Sequence, residues 1–133
     1  TTGNNFDEIP AEYKGYQFEA LILNELRTYF EVSRKKYEIM YFAVPQIGDI
    51  DFIIRTRRKT LSQPEQIVTV EVKSSAKLKN GFDKMNQALA EKIPQKIKAQ
   101  FAVYLGQEHM KKKGLEVLPL NLFIKKLWQN ELF

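Results

Sequence analysis

The sequence predicts an α/β fold in which helices pack on the faces of an open, mixed β-sheet. Apolar residues recur at helical spacing near both ends of the chain and again in the middle, and short runs rich in β-branched and aromatic residues lie between them. The resulting order is helix, strand, strand, strand, helix, strand, short strand, helix, which packs naturally as a sheet covered by helices. We expect residues 1–133 to form a single domain, because this length suffices to bury a core.

Composition excludes several classes of protein. The chain is 44% hydrophobic and 12% aromatic, which argues against disorder, and it has no apolar run near the ~20 residues of a membrane helix and no secretory signal pattern. We therefore expect no membrane partner. The absence of cysteine excludes disulfides and thiolate chemistry and fits a cytoplasmic location.

Charge and metal-ligand content point to particular partners. The net charge of +5 favours polyanions, nucleic acid first. His109 is the single histidine and lies in a polar stretch typical of a loop, so a site with several imidazole ligands is impossible. Any metal would be held by carboxylates, which favours Mg²⁺ or Mn²⁺.

The chain begins Thr-Thr-Gly-Asn-Asn without methionine. We expect residues 1–9 to be a flexible lead-in and the whole sequence to be excised from a longer polypeptide. Processing or removal of a tag is the alternative explanation for this start.

The first helix is predicted from about Pro10 to Glu31. One face carries the apolar residues, with Glu19 in its middle. A carboxylate there requires a partner inside the fold, such as a metal, a lysine or a hydrogen-bond donor. Alternatively, Gly15 marks the true start and Glu19 is an acid favoured by the helix dipole. The predicted apolar face consists of Tyr16, Leu23, Leu26 and Phe30, flanked by Ile22.

The next three elements are predicted strands, and each alternates its side chains between two faces. The first spans Tyr37 to Val44, the second Asp49 to Arg55 and the third Ile67 to Lys73. Asp51 shares a face of the second strand with Asp49, Ile53 and Arg55. On the third strand, the face opposite the three valines carries Ile67, Thr69, Glu71 and Lys73.

Two basic segments flank the third strand. The hairpin tip before it contains Arg57, Arg58 and Lys59, and the small loop after it contains Lys77 and Lys79. The tip is either an ordinary solvated loop or a phosphate contact, and the sequence leaves both interpretations open. We count all five residues as candidate nucleic-acid contacts.

The remaining elements are a helix that begins near Phe82 and ends at Pro94, a buried strand from Ala99 to Leu105, and a final amphipathic helix from Pro119. Gln87 lies on the middle helix and could face a site. Between the last strand and the last helix we predict a solvated turn at Lys111 to Lys113 and a short edge strand from Leu115 to Leu118.

Acidic side chains on two neighbouring strands suggest the chemistry. Paired strands lie ~4.8 Å apart, so Asp51 and Glu71 could both reach one cation. Lys73 could orient a metal-bound water or stabilise charge developing on a phosphate, and Glu19 would add a third carboxylate. This set fits metal-assisted hydrolysis of a phosphodiester. The alternative is a Glu–Lys pair on a solvated face of the sheet.

At this point the residues resemble a known family, the PD-(D/E)XK nuclease superfamily. The chain is most similar to the nuclease-like domain at the C-terminal end of many prokaryotic AAA-type ATPases. The likeness covers nearly the whole chain and rests on four segments in order, K-G-Y-Q-F-E-A-L-I-L-N-E-L (Lys14 to Leu26), G-D-I-D-F-I-I (Gly48 to Ile54), V-E-V-K-S-S (Val70 to Ser75) and G-L-E-V-L-P-L-N-L-F (Gly114 to Phe123).

The resemblance implies a restriction-endonuclease-like fold, with a central four-stranded mixed sheet flanked by helices in the order αβββαβ and a C-terminal helix. It implies a metal site formed by Asp51 and Glu71, with Lys73 as the catalytic lysine and Glu19 as the helical acid. Two departures stand out: Ile50 instead of proline precedes Asp51, and Gln87 is followed four residues later by Glu91 where some relatives have tyrosine.

The sequence therefore leaves two main hypotheses for the function. The first is a Mg²⁺- or Mn²⁺-dependent deoxyribonuclease, the C-terminal part of an ATPase. The second is a catalytically silent module that directs an attached AAA-type ATPase lobe to DNA or to a protein. A third interpretation, in which the charges merely keep an interaction domain soluble, is the least informative.

Overall fold

The structure is a computed structural model that describes the backbone of residues 11–44 and 48–133 and the side chains of residues 15–40 and 51–133. The predicted lead-in at residues 1–9 lies outside the described residues. The elements are α1 (Ala11–Val32), β1 (Glu38–Val44), β2 (Gly48–Arg57), β3 (Gln66–Lys73), α2 (Lys84–Lys92), β4 (Lys96–Tyr104), β5 (Met110–Lys112), β6 (Leu115–Pro119) and α3 (Leu120–Trp128).

The strands form one mixed sheet in the order β1-β2-β3-β4-β6-β5. Strands β1, β2 and β3 are antiparallel neighbours, β3, β4 and β6 run parallel, and β5 pairs antiparallel with β6. The predicted mixed α/β class is confirmed. The predicted four-stranded sheet is wrong, because the sheet has six strands.

The two extra strands lie beyond β4 and form a tight hairpin. Lys111 and Lys112, predicted as part of a solvated turn, pair with Glu116 and Leu115 as strand residues. Only Lys113 and Gly114 turn the chain, and both have positive φ (49° and 85°), as a two-residue type I′ hairpin requires. Strand β6 is therefore an interior strand, not the predicted edge strand. Backbone pairing decides this segment, and a run of lysines carries no hydrophobic alternation to predict it.

Two layers of helix cover the sheet. Phe52, Ile54, Val68 and Val70 pack on one face in the main core, which also contains residues of α1 and α3. On the opposite face, Ile53 and Ile67 pack against Leu89 of α2. The predicted alternation along β3 and the described part of β2 is thereby confirmed. It places Glu71 and Lys73 on the side of the sheet that α2 covers.

The buried face of α1 agrees with the prediction at Ile22, Leu26 and Phe30 but differs from it at Tyr16. Phe18, Ile22, Leu26 and Tyr29 are buried, whereas Tyr16 is 72% exposed. At ~100° per residue these four side chains fall within an arc of about 80°, and Tyr16 lies ~160° from Phe18. The prediction placed Tyr16 instead of Phe18 on the apolar face of the helix. A sequence that offers Tyr16 and Phe18 two positions apart supports either stripe until the sheet selects one.

Helix α3 fixes α1 against the sheet. Phe123 and Leu127 are buried, and two hydrogen bonds join the helical regions: Tyr29 Oη donates to Asn130 Oδ1 at 2.5 Å and Trp128 Nε1 donates to Glu25 Oε2 at 2.9 Å. No helix in the described part of the chain has the length and apolar character needed to cross a lipid bilayer.

The observed orientation of α1 predicts an asymmetry between two neighbouring aromatic residues. Phe18→Ala should lower the free energy of unfolding by about 3–5 kcal/mol, because it leaves a cavity in the main core. Tyr16→Ala should change it by less than about 0.5 kcal/mol. Urea denaturation followed by circular dichroism measures both. A decrease for Tyr16→Ala as large as that for Phe18→Ala would mean that the helix is rotated from this orientation.

Candidate active site

The site lies where the pairing of β2 with β3 ends. Phe52 and Val70 form the last paired position at this end of the two strands. The next residues along each strand are Asp51 and Glu71. Beyond this pair a side chain takes the place of a backbone acceptor: the Asp51 carboxylate (Oδ2) accepts a hydrogen bond from the Val72 backbone N–H at 2.7 Å. This bond holds the Asp51 carboxylate against β3.

Glu71 is a buried carboxylic acid with an incomplete set of partners. It is only 3% exposed, and it lies beside Ala102 in the parallel register with β4. Its Oε2 is 3.5 Å from Lys73 Nζ, whereas its Oε1 is buried without a hydrogen-bond partner. The alternative of a solvated Glu–Lys pair is wrong for Glu71, since a solvated face does not bury its carboxylate.

The electrostatic environment of Glu71 favours its protonated form. Burial raises the pKa of Glu71 from its ordinary value of 4.5 to about 7, and the nearby Asp51 carboxylate acts in the same direction. The ammonium of Lys73 and the backbone N–H of Asp51 act in the opposite sense and compensate only in part. Two acids are thus held close together in a place that water solvates poorly.

Glu19 joins the same group of acids from α1. Burial raises the pKa of Glu19 to about 7, and a hydrogen bond to Asp51 and repulsion from its charge add to the effect. Two carboxyl groups share a hydrogen bond only when one of them carries the proton. Helix α1 begins at Ala11, so Glu19 lies beyond the first turn and the helix-dipole explanation is wrong.

The first turns of α1 also lie against the loop after β3. A Cβ atom added to Gly15 would be 3.8 Å from the Ser74 hydroxyl oxygen, an ordinary van der Waals contact. This approach brings Glu19, one turn further along the helix, to the end of β2 and β3. The four side chains predicted to act together, those of Asp51, Glu71, Lys73 and Glu19, therefore meet at one end of the sheet.

The donor set suits a hard divalent cation. Mg²⁺ binds through one or two carboxylates and completes its shell with waters or substrate oxygens, and Asp51 with Glu71 supplies those carboxylates. The orphaned Oε1 of Glu71 is a further mark of such a site, because a buried oxygen normally has a partner. Among the described side chains no three acids or histidines already stand in the geometry of a metal centre. A role for Glu19 as metal ligand stays a prediction.

A groove of about 460 Å³ opens beside this group of acids. Lys73 belongs to its lining, so the groove and the acids share one side chain. Two of the predicted nucleic-acid contacts, Lys77 and Lys79, also line it. The full lining is Lys73, Ser75, Lys77, Leu78, Lys79, Asn80, Gly81, Phe82 and Met85. We call it the lysine groove.

The other predicted contacts lie elsewhere. Arg57 is at the opposite end of β2, six residues or ~20 Å from Asp51 at ~3.3 Å per residue. Arg58 forms an ion pair with Glu38, and Arg57 Nη2 donates to the Pro64 carbonyl at 3.2 Å. The structure does not bring this hairpin tip, which includes the exposed Lys59, together with the acids.

Helix α2 contributes a buried polar residue that the sequence analysis missed. Gln87, the residue considered there, hydrogen-bonds Asp83 at the start of its own helix. Asn86 is instead 2% exposed, and its Nδ2 has no partner, as is also true of Thr69 Oγ1 and Gln100 Oε1 on the strands. Its position three residues before Leu89, on the buried side of the helix, is the signal that could have identified it. Such groups are commonly satisfied by ordered water.

One family profile spans all of these residues. The profile described as "Domain of unknown function (DUF4143)" matches residues 14–123. The chain belongs to the DUF4143 family. Domains of this family are often found with AAA ATPases. The matched range contains Glu19, Asp51, Glu71 and Lys73 together with the lysine groove. The match is to DUF4143 and gives no evidence specific to the PD-(D/E)XK superfamily. No curated protein and no solved structure gives a significant match.

The raised pKa of Glu71 predicts a pH dependence of stability. A raised acid pKa means that the folded state holds the proton more tightly, so its contribution is fully present below the ordinary value of 4.5 and is lost as the pH rises through about 7. In the absence of divalent cations, the stability of the wild type should fall by a few kcal/mol between pH 5 and pH 8.

Thermal unfolding at a series of pH values measures this decline. Glu71→Gln should flatten it, because an amide does not ionise, and Mg²⁺ or Mn²⁺ should restore stability to the wild type at pH 8. The residual decline in the variant is expected from Glu19. A wild-type curve that rises from pH 5 to pH 8, or the same slope in the variant, would contradict the assignment.

Proposed function

We propose that this chain is a PD-(D/E)XK-type nuclease domain that hydrolyses phosphodiester bonds of DNA with Mg²⁺ or Mn²⁺. The observation that carries the proposal is the convergence of Asp51, Glu71 and Lys73 at the end of β2 and β3. A buried Glu71 with an unpartnered oxygen beside a second carboxylate is costly unless the arrangement has a use. Metal-assisted phosphodiester hydrolysis uses these residue types and needs no histidine, cysteine or serine.

Asp51 and Glu71 are the residues that would hold the cation. When bound, the cation polarises a phosphoryl oxygen and lowers the pKa of a coordinated water. The backbone N–H of Val72 keeps the Asp51 carboxylate in place, and burial keeps Glu71 from moving into solvent. Both acids are thus preorganised by the backbone of β3.

Lys73 supplies the positive charge on the substrate side. Its side chain is 34% exposed and its Nζ lies 3.5 Å from Glu71 Oε2, so the ammonium can reach a phosphate while it stays near the carboxylates. There it orients the attacking water or stabilises negative charge developing on the phosphate. The pKa of Glu19 is raised to about 7 by burial, by a hydrogen bond to Asp51 and by the Asp51 charge, so near neutral pH Glu19 can add or withhold one negative charge at the site.

A second candidate function is favoured by the frequent occurrence of DUF4143 domains with AAA ATPases. In this interpretation the domain does not cut and instead directs an attached ATPase lobe to DNA or to a protein. The lysine groove would serve it as well as it serves a nuclease. The two functions differ in what the acids do: a module that only binds does not depend on Asp51 or Glu71.

Cleavage assays separate the two functions. The wild type should cut at least one of single-stranded, duplex or branched DNA with Mg²⁺ or Mn²⁺, and EDTA should stop the reaction. Lys73→Ala, Asp51→Asn and Glu71→Gln should each lower the rate by at least about 10²-fold, because each removes transition-state charge stabilisation or a metal ligand. Gel electrophoresis of labelled substrates gives the rates.

Lys125 provides the matched control, since it is an exposed lysine on α3 and no ion pair in the described part of the chain involves it. Lys125→Ala should cut at the wild-type rate, and Lys73→Ala should unfold at nearly the wild-type temperature. No cleavage of any substrate with either metal would overturn the nuclease proposal. Equal cleavage by Asp51→Asn would do the same.

Metal binding gives a test that does not depend on finding the substrate. Calorimetric titration with Mn²⁺ should show one or two sites on the wild type and at least about tenfold weaker binding to Asp51→Asn, since removal of a carboxylate ligand costs more than removal of the groups that orient it. Lys125→Ala should bind as the wild type does. Equal affinity of wild type and Asp51→Asn would place the cation elsewhere.

A further inference from the structure

The lysine groove contains two lysines whose charges nothing in the described part of the chain neutralises. Lys77 and Lys79 have no ion-pair partner within the part of the chain that the structure describes, and no carboxylate lines the groove. By contrast, Lys112 Nζ lies 3.5 Å from Asp83 Oδ1, and Arg58 is paired with Glu38. The groove therefore keeps its positive charge for a ligand.

The loop that carries these lysines is tied down on several sides. The Ser75 hydroxyl donates to the Lys77 carbonyl at 2.7 Å, and the Leu105 backbone N–H donates to the Ser75 carbonyl at 3.0 Å. A Cβ atom on Gly106 would come within 2.8 Å of the Ala76 carbonyl, so only glycine lets the loop lie this close to the end of β4. The groove is consequently formed before any ligand arrives, which reduces the entropic cost of binding.

The groove also has an apolar wall. Leu78, Phe82 and Met85 belong to the lining, and they also pack against two clusters of buried side chains, one of which includes Leu89 of α2. A volume of about 460 Å³ lined by both charged and apolar side chains matches a phosphate joined to a flat heterocycle. In a double helix the flat faces of the bases are stacked on one another, so such a wall contacts only an unpaired base.

We propose that the lysine groove binds unpaired nucleotides of a nucleic acid strand, with phosphates on Lys77 and Lys79 and a base against Leu78, Phe82 and Met85. The proposal assigns a substrate class to the proposed nuclease. It rests on the proposed function only for the cleavage of the bound strand, not for its binding. Lys73 lines the groove and contacts Glu71, so a strand bound there presents a neighbouring phosphate to Asp51 and Glu71. The domain accordingly acts on single strands, flaps or frayed ends.

Binding measured in EDTA tests the groove apart from catalysis. Fluorescence anisotropy with a labelled oligothymidine should show at least about tenfold tighter binding than with a blunt duplex of equal length. The double variant Lys77→Ala with Lys79→Ala should weaken binding. The plot of log affinity against log salt should also become shallower by about 1.4, because each single-strand phosphate that a lysine neutralises adds ~0.7 to the slope.

Phe82→Leu isolates the apolar wall, because it keeps an apolar side chain but removes the aromatic ring. It should weaken single-strand binding about fivefold or more, with an unchanged salt slope and a thermal unfolding curve that confirms folding. Lys125→Ala on α3 is the matched control, and it should bind as the wild type does. The same anisotropy measurement with a labelled oligouridine shows whether the groove binds RNA as well as DNA.

Four outcomes would overturn the assignment. They are equal affinity for duplex and single strand, no change in the double lysine variant, equally tight binding of polyglutamate, and abolished binding in Lys125→Ala. Failure of cleavage with these binding results intact would instead count against the nuclease proposal alone. Binding measurements therefore test the lysine groove, and cleavage measurements test the nuclease proposal.

Discussion

The candidate site depends on the placement of a buried carboxylic acid, Glu71, beside a second one, Asp51. Their repulsion is strong because burial removes the water that would screen it, and burial and the Asp51 charge raise the pKa of Glu71 to about 7. Two neighbouring groups offset this repulsion: Lys73 places a positive charge near Glu71, and Val72 donates a backbone N–H to Asp51. A divalent cation would offset it more completely, which is why we infer a metal-dependent activity.

The alternation of side chains along β3 places core residues on one face of the strand and candidate-site residues on the other. Its valines pack into the core shared with α1 and α3, whereas Glu71 and Lys73 project to the side of α2. A shift of register by one residue would exchange these faces and place the acid among the core side chains, so the pairing with β2 and β4 is under strong constraint. The proposed site and the core are therefore formed by the same eight residues.

Particular residues show how far local patterns reach. The faces of β2 and β3 were predicted from alternation and are confirmed. The prediction puts Tyr16 on the buried side of α1 because Tyr16 has helical spacing with Leu23 and Phe30, and only contact with the sheet selects Phe18 instead. Strand β5 was missed because Lys111 and Lys112 join the sheet through backbone pairing, which leaves no mark in the pattern of side chains. Asn86 was missed although its spacing from Leu89 was visible.

The amino-acid sequence alone predicts the three helices and every strand except β5 in their observed order, the face on which each strand carries its acids, and the metal-ligand types available, because these follow from local geometry and composition. The three-dimensional structure shows in addition that Glu71 is buried, that Glu19 lies close to Asp51, and that the lysine groove opens beside Lys73 while the arginines of the hairpin tip lie at the far end of β2. Burial and charge coupling depend on residues far apart in the chain, and no local pattern records which of them become neighbours.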